Sequence, residues 1–144
     1  MDRSASSETE TVSPDPNGRM TSRPVGEILL VEDDALVAEA CAMLLEDFGY
    51  GVSRVASADE ALALLTKGYR PDLVFSDVVM PGSLNGVELA QTLRKRYPPM
   101  PIILTTGFSK AAAEAIASGF KLLHKPYLPN DLEREIKSAL DRGR

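Results

Sequence analysis

The sequence predicts an α/β domain in which five parallel strands form one sheet with helices on both faces. Five short runs rich in β-branched residues and leucine alternate with five segments whose apolar residues recur every three or four positions. Three of these runs are apolar almost throughout, which is typical of strands covered on both faces. The chain of 144 residues is long enough for one such domain and too short for two. The alternation therefore indicates a doubly wound sheet.

The first 24 residues carry no such pattern. They are rich in serine, threonine, proline and acids, so we expect residues 1–24 to be a disordered tail and residues 25–144 to be the folded domain. The tail also lacks the apolar core of a signal peptide, which makes the cytoplasm the expected compartment.

The strands and helices follow one another along the chain. The predicted strands are EILLV (27–31), YGVSRVA (50–56), DLVFS (72–76), PIILTT (101–106) and KLLH (121–124). Stripes of apolar residues predict a helix after each strand, and the stripe is most regular in the first helix. In the last helix the stripe consists of Leu128, Leu132, Ile136 and Leu140. Asn130 and Glu133 are spaced like a capping box for this last helix. We expect Gly49, Gly68 and Gly119 to end three of the helices in the left-handed conformation.

Composition excludes several classes of function. The net charge of −5 argues against nucleic acid as the main partner. No apolar run approaches the roughly 20 residues of a membrane-spanning helix, so no membrane partner is expected. The single cysteine, Cys41, cannot form an internal disulfide and is expected to be a small buried apolar residue.

Polar groups end four of the five predicted strands. In such sheets ligands bind outside the carboxyl ends of the strands, so these groups should converge on one edge. They are Glu32, Asp33, Asp34, Asp77, Thr105, Thr106, His124 and Lys125.

Their chemistry suits phosphoryl transfer. Crowded carboxylates repel one another unless a cation lies between them, and an all-oxygen site suits Mg²⁺, which accepts phosphate oxygens as further ligands. A carboxylate such as Asp77 is also a competent nucleophile toward phosphorus. Lys125 and a threonine hydroxyl could stabilise the transferring phosphoryl oxygens. The pattern therefore predicts phosphoryl transfer onto Asp77.

From residue 27 to residue 140 the sequence resembles the receiver domains of the two-component response-regulator family. The matching motifs are ILLVEDD, DLVFSDVVMPG, PIILTTG and HKPY, in the family's order and at its spacing. The resemblance implies a flavodoxin-like (βα)5 fold with strand order 2-1-3-4-5.

The resemblance also implies a role for each site residue. Asp77 becomes the phosphorylation site, Thr106 the switch hydroxyl before a small residue, and Lys125 the phosphoryl-binding amine, with a cis bond to Pro126. Thr105 is then a strand residue. The implied Mg²⁺ ligands are Asp33 directly, Glu32 through water, Asp77, and the main-chain carbonyl of Val79.

The family's partners follow from the same resemblance. A histidine kinase or a histidine phosphotransfer protein would donate the phosphoryl group, and an unidentified downstream protein, or a phosphorylation-dependent dimer, would receive the signal. The domain would catalyse only its own phosphorylation and dephosphorylation, and so act as a switch. Because the sequence ends directly after the fifth helix, we expect a stand-alone receiver or the receiver of a hybrid histidine kinase.

The sequence departs from the family pattern in places. Leu122 stands where an aromatic switch residue is usual, and Tyr127 could supply aromatic surface instead or pack against the last helix. The segment after Pro81 is one residue longer than usual, which predicts a longer loop beside the acceptor. Val79 and Phe108 are apolar where polar residues could orient an attacking water, so we expect slow hydrolysis of the phosphoryl group.

Simpler roles are expected for other polar residues. Asp34 is expected to cap the first helix, and His124 to lie on the surface without a chemical role. The run RKRYPP could bind acidic partners, but we expect it to be the solvated end of the third helix, where cations complement the helix dipole.

Two other functions remain as alternatives. A phosphohydrolase with an aspartyl nucleophile usually carries a second acid two residues later, where this chain has Val79. A flavodoxin-like cofactor binder would need a phosphate-binding loop after the first strand, where three acids would repel phosphate.

Overall fold

A computed structural model describes residues 12–14, 20–22 and 25–142 and contains the predicted five-stranded parallel sheet. Its strands are β1 (Glu27–Val31), β2 (Gly51–Val55), β3 (Leu73–Asp77), β4 (Ile102–Thr106) and β5 (Lys121–His124). They are arranged in the order β2-β1-β3-β4-β5, which confirms the predicted topology. The helices are α1 (Ala35–Asp47), α2 (Ala58–Thr66), α3 (Gly86–Arg96), α4 (Ser109–Ala117) and α5 (Pro129–Arg142).

Two helical layers cover the sheet. Helices α1 and α5 bury one face, where Ile28, Leu30, Phe75 and Ile103 of the strands meet Leu45, Leu132 and Ile136 of the helices. Helices α2, α3 and α4 cover the other face, against Leu29, Val31, Val74 and Leu104. Each fully buried Leu, Ile or Phe contributes roughly 1.5–3 kcal/mol relative to an exposed one, so the two layers hold the strand ends firmly in place.

The ends of the helices agree with the sequence at most positions. Asp34 caps α1, since its side chain accepts hydrogen bonds from the amides of Leu36 and Val37. Gly49, Gly68 and Gly119 have φ angles of 103°, 104° and 83°, as predicted for left-handed helix ends.

The predicted capping box of the last helix is wrong. Helix α5 begins at Pro129, so Asn130 lies inside the first turn. Proline is favoured at the first helical position because its missing N–H would have no helical partner there. The capping box that does form joins Asn85 and Glu88 at the start of α3.

Two short strands precede the domain. Val12–Pro14 pairs with Met20–Ser22 in antiparallel fashion, so for these six residues the structure has paired strands where we expected a disordered tail. Main-chain hydrogen bonds hold such a pair, and a polar composition does not exclude them. The rest of the predicted tail lies outside the described residues. Within the described part of the chain, no helix is both long and apolar enough to cross a membrane.

Candidate functional site

Asp77 is the last residue of β3 and stands at the carboxyl edge of the sheet. Side chains alternate between the two faces of a strand, so Asp77 lies on the α1/α5 face with Phe75. Its Oδ1 accepts a hydrogen bond of 3.2 Å from the amide of Val79, and its Oδ2 lies 3.1 Å from the ammonium of Lys125. The strand therefore delivers one carboxylate, held by two donors, to this edge.

Lys125 follows β5 and brings a cation to the carboxylates. Its amide donates to the carbonyl of Thr106, which ties this segment to the end of β4, and its peptide bond to Pro126 is cis, as predicted. The ammonium lies 3.1 Å from Asp77 Oδ2 and 3.8 Å from Glu32 Oε1. One lysine therefore compensates two carboxylates.

Glu32 is buried, with 8% of its side chain exposed, whereas Asp33 beside it is exposed. Burial raises the pKa of the Glu32 carboxyl, as does repulsion from Asp77 and Asp33, while a hydrogen bond from the amide of Asp34 and the charge of Lys125 lower the pKa. The repulsion is the crowding that the sequence predicted, and a second cation would relieve it.

The donors at this edge fit a hard cation, although they do not form a complete cage of side chains. In the part of the chain that the structure describes, no group of three or more His, Cys, Asp or Glu side chains is arranged to hold a metal ion. Mg²⁺ needs no such cage, because it usually keeps several waters and binds proteins through one or two carboxylates. The edge supplies hard oxygen donors of this kind, so Mg²⁺ suits the donor set.

The two threonines at the end of β4 lie in different surroundings. Thr106 is buried, and its Oγ1 accepts a hydrogen bond of 3.1 Å from the amide of Phe108. Thr105 pairs in register with Asp77 and lies on the same face as Ile103. Its buried Oγ1 has no hydrogen-bond partner among the described residues. The sequence predicts that Thr105 is a strand residue. It does not predict that the Thr105 hydroxyl would be buried beside Asp77 with no hydrogen-bond partner among the described residues.

Gly86 packs against the backbone of Asp77 and Val78, and it was not among the predicted site residues. This first residue of α3 donates its amide to the carbonyl of Val78 at 2.8 Å. A Cβ on Gly86 would lie 2.8 Å from Val78 Cα, 3.0 Å from the carbonyl carbon of Asp77 and closer still to its oxygen. Only glycine therefore lets the helix pack directly on the backbone of Asp77 and Val78. The signal in the sequence was the spacing of Asn85 and Glu88, which fixes where α3 begins.

The loop between Asp77 and α3 is hydrogen-bonded to α2. The hydroxyl of Ser83 donates to Asp59 Oδ1 at 2.8 Å, and its amide donates to Asp59 Oδ2 at 3.3 Å. The longer loop predicted after Pro81 is thus anchored on the neighbouring helix.

Comparison with known proteins decides the family. The family model described as "Response regulator receiver domain" matches residues 28–137. The chain belongs to the response regulator receiver family. The Bradyrhizobium diazoefficiens transcriptional regulatory protein FixJ is 35% identical over 118 residues, which cover 80% of this chain and 57% of FixJ. The Brucella abortus sensor kinase CckA is 34% identical over 119 residues, which cover 80% of this chain and 12% of CckA. The chain thus spans only part of these relatives.

Solved receiver structures have the same fold. The signal receiver domain of a histidine kinase from Syntrophus aciditrophicus superposes with a TM-score of 0.75 at 32% identity, covering 82% of this chain and 92% of that one. A CheY-like receiver from Methanospirillum hungatei JF-1 gives a TM-score of 0.73 at 30% identity, covering 85% and 97% of the two chains. The likeness therefore extends over nearly the whole receiver.

The aromatic features of this receiver are arranged around the α1/α5 face. The Tyr127 ring packs edge-on against Phe75, with ring centroids 6.2 Å apart. Tyr127 therefore packs in the core of the α1/α5 face, and its ring contact is with β3, where we had considered the last helix. Burial raises the pKa of the neighbouring Cys41 thiol to about 11, which keeps this cysteine neutral and inert. On the other face, Leu122 packs against the cluster that contains Leu104 and Ala115.

Other polar residues have the simpler roles expected of them. His124 is exposed, and its Nδ1 lies 2.8 Å from the carbonyl oxygen of Lys125, its own neighbour in the chain. Among the bonds between described residues, none joins this imidazole to an acid that could orient it or to the carboxylate of Asp77.

Proposed function

We propose that Asp77 of this receiver accepts a phosphoryl group from a phosphohistidine of a histidine kinase or a histidine phosphotransfer protein. The observation that carries the proposal is the ammonium of Lys125 lying within 4 Å of both Asp77 and Glu32. A carboxylate and an ammonium side by side at the carboxyl edge of the sheet support the roles of nucleophile and phosphate-binding cation. Family membership supports a signalling switch, and the residue assignments are ours.

In the proposed reaction a carboxylate oxygen of Asp77 attacks phosphorus in line while the bond from phosphorus to the donor's histidine nitrogen breaks. The electron pair of that bond stays on the imidazole. Lys125 then exchanges its contact with Asp77 for one with a phosphoryl oxygen. Mg²⁺, held by Asp33, Asp77 and the carbonyl of Val79 with Glu32 acting through water, would neutralise the remaining phosphoryl charge.

The proposed output begins at Thr106. Its hydroxyl accepts a hydrogen bond from the amide of Phe108, which precedes α4, and no side chain among the described residues bonds the N-cap of α4. A Thr106 hydroxyl that turns toward the phosphoryl group would release this amide. We therefore expect the start of α4 to shift and to change a protein contact, with Leu122 accommodating the shift by repacking instead of an aromatic rotation. The receiving partner would be a downstream protein or a second copy, in the cytoplasm.

The phosphohydrolase alternative has no support from the comparisons. The exposed side chains of Val79 and Phe108, two residues after Asp77 and Thr106, are apolar and cannot hydrogen-bond an attacking water. We propose a phosphoryl group that hydrolyses slowly. Label on the phosphorylated protein, followed in excess chelator, should persist for minutes or longer, and its loss within seconds would contradict this.

Incubation with Mg²⁺ and acetyl phosphate, followed by intact mass measurement, tests the proposal. The wild-type chain should gain one phosphoryl group, and Asp77→Asn should gain none. Asp72→Asn is a matched control, because Asp72 is exposed before β3 and accepts a hydrogen bond from the amide of Glu27, far from the carboxyl edge. A phosphoryl group that persists in Asp77→Asn would reject Asp77 as the acceptor.

A further inference from the structure

Two grooves lie at the amino edge of the sheet, opposite to Asp77. They adjoin the loop 98–101, which connects α3 to β4, and have volumes of about 360 and 420 Å³. The first is also bounded by α5 and the residues before β5, and the second by the residues before β3. Pockets of this size suit short ligand segments.

The charge of the grooves is opposite to that of the chain. The whole chain has a net charge of −5. The charged residues that line the two grooves are five cations and one acid, namely Arg70, Arg94, Arg96, Lys121, Arg142 and Asp72. The acid already accepts a hydrogen bond from the amide of Glu27. Lys121 is already paired with Glu135 at 3.1 Å, but the four arginines still outnumber Asp72. The grooves therefore carry a local positive charge on an acidic protein.

Two of the arginines are held in place by aromatic rings. The guanidinium carbon of Arg94 lies 4.0 Å from the centre of the Phe120 ring, and that of Arg70 lies 4.9 Å from the centre of the Tyr97 ring. Arg70 Nη1 also donates to the carbonyl of Leu65 at 2.7 Å.

These stacked arginines keep unused donors. Within the described residues neither guanidinium forms an ion pair with a carboxylate. A guanidinium presents five N–H donors. Arg70 uses Nη1 for the carbonyls of Leu65 and Tyr69, and Arg94 uses Nη2 for the carbonyl of Gly119. The remaining donors of each guanidinium can bind a carboxylate. The arginines are therefore oriented before any ligand arrives, which lowers the entropy that binding costs.

We propose that the two grooves bind an extended acidic segment of a partner protein. Carboxylates would pair with Arg94 and Arg70, and an apolar side chain between them would pack on Pro98 and Met100, which line both grooves. The apolar lining and the negative charge of the whole chain favour a peptide over nucleic acid. This surface goes beyond the proposed phosphorylation, because it lies at the opposite edge of the sheet.

Fluorescence anisotropy with a labelled peptide of alternating glutamate and leucine tests the proposal on the full chain at low salt. The wild type should bind it and should not bind the matched peptide with lysine in place of glutamate. Arg94→Gln and Arg70→Gln should each weaken binding about tenfold, because each removes a charge-assisted pair. Arg94→Lys should also weaken binding, because lysine lacks the planar fork. Lys95→Gln removes the same charge from an adjacent exposed position that lines neither groove, and should have less than about a twofold effect.

Several results would overturn the proposal. The first two are that the wild type does not bind the peptide, or that Lys95→Gln and Arg94→Gln lose peptide affinity equally. The other two are that the protein binds a labelled single-stranded DNA more tightly than the peptide, or that it self-associates and Arg94→Gln abolishes this. The last two would assign the grooves to nucleic acid and to a second copy. All variants should accept the phosphoryl group from acetyl phosphate as the wild type does, which shows that they fold and separates this proposal from that of Asp77 phosphorylation.

Discussion

Substitution of Gly86 by alanine should displace the backbone of Asp77 and destabilise the fold. The added Cβ would lie 2.8 Å from Val78 Cα and 3.0 Å from the carbonyl carbon of Asp77, whereas ordinary contact begins at 3.4 Å. The backbone of Asp77 and Val78, or helix α3, must then move by more than about half an ångström. The contacting atoms belong to the backbone, so no flexible side chain can move away instead.

The expected magnitude follows from this overlap. Overpacking of this kind costs about 1–3 kcal/mol, and the better helix propensity of alanine offsets at most about 1 kcal/mol of it. Displacement of Asp77 from Lys125 should also slow phosphorylation by acetyl phosphate about tenfold or more, since such reactions depend steeply on position.

Urea unfolding and the rate of labelling, measured side by side, check both effects. Gly107→Ala is the matched control, because it follows Thr106 at the same site, yet a Cβ there would meet only Lys125 Cβ at 3.7 Å. This control should unfold like the wild type. If Gly86→Ala is as stable and as quickly labelled as Gly107→Ala, the close approach of α3 to the acceptor is not what positions Asp77.

Three further predictions concern the neighbouring residues. Thr105→Val replaces a buried hydroxyl that has no hydrogen-bond partner in the described part of the chain. It should stabilise the fold by about 1 kcal/mol and raise Tm by several degrees, whereas Thr105→Ser should not; a lower Tm in the valine variant would show that the hydroxyl is bonded. Lys125→Gln leaves Glu32 and Asp77 without their shared cation, and should lower the urea unfolding free energy by about 2 kcal/mol; unchanged stability would argue against this pairing. The folded pKa of Cys41 is raised from 9.0 to about 11, so the unfolded chain loses this proton first. This contribution is full well below pH 9 and should fall by about 3 kcal/mol toward pH 11. Burial also raises the pKa of Tyr127 from 10.0, so this residue lowers stability further above pH 10. Cys41→Ala should therefore flatten the profile between pH 9 and pH 10, and an unchanged slope there would contradict the shift.

The arrangement of the site followed from the sequence because parallel strands share one carboxyl edge. The alternation of strands and helices put Asp77, Glu32 and Lys125 at the carboxyl edge of a doubly wound sheet, and the strand order implied by the family resemblance brought them together. Their contacts within 4 Å agree with that argument. The capping role of Asp34 could also be predicted, because it depends only on amides two and three residues further along the chain.

Other features depend on segments that are distant in sequence. The approach of Gly86 to the acceptor backbone depends on how α3 leaves its loop, and no periodicity encodes it. Stacking of Arg94 on Phe120 likewise joins α3 to the residues before β5, so only a cluster of charges could be recognised from the sequence there. The start of α5 was misjudged because Asn130 and Glu133 have cap spacing, but Pro129 already begins the helix.

Chemical location of the phosphoryl group tests the central proposal most directly. The protein would be incubated with Mg²⁺ and acetyl phosphate, treated with borohydride, digested and sequenced by mass spectrometry. Hydride reduces an aspartyl phosphate to homoserine with release of phosphate, and leaves free carboxylates unchanged. Homoserine at position 77 and nowhere else is the predicted result. Homoserine at Asp33 or Asp34, or a phosphoryl group retained on His124, would contradict the assignment of Asp77.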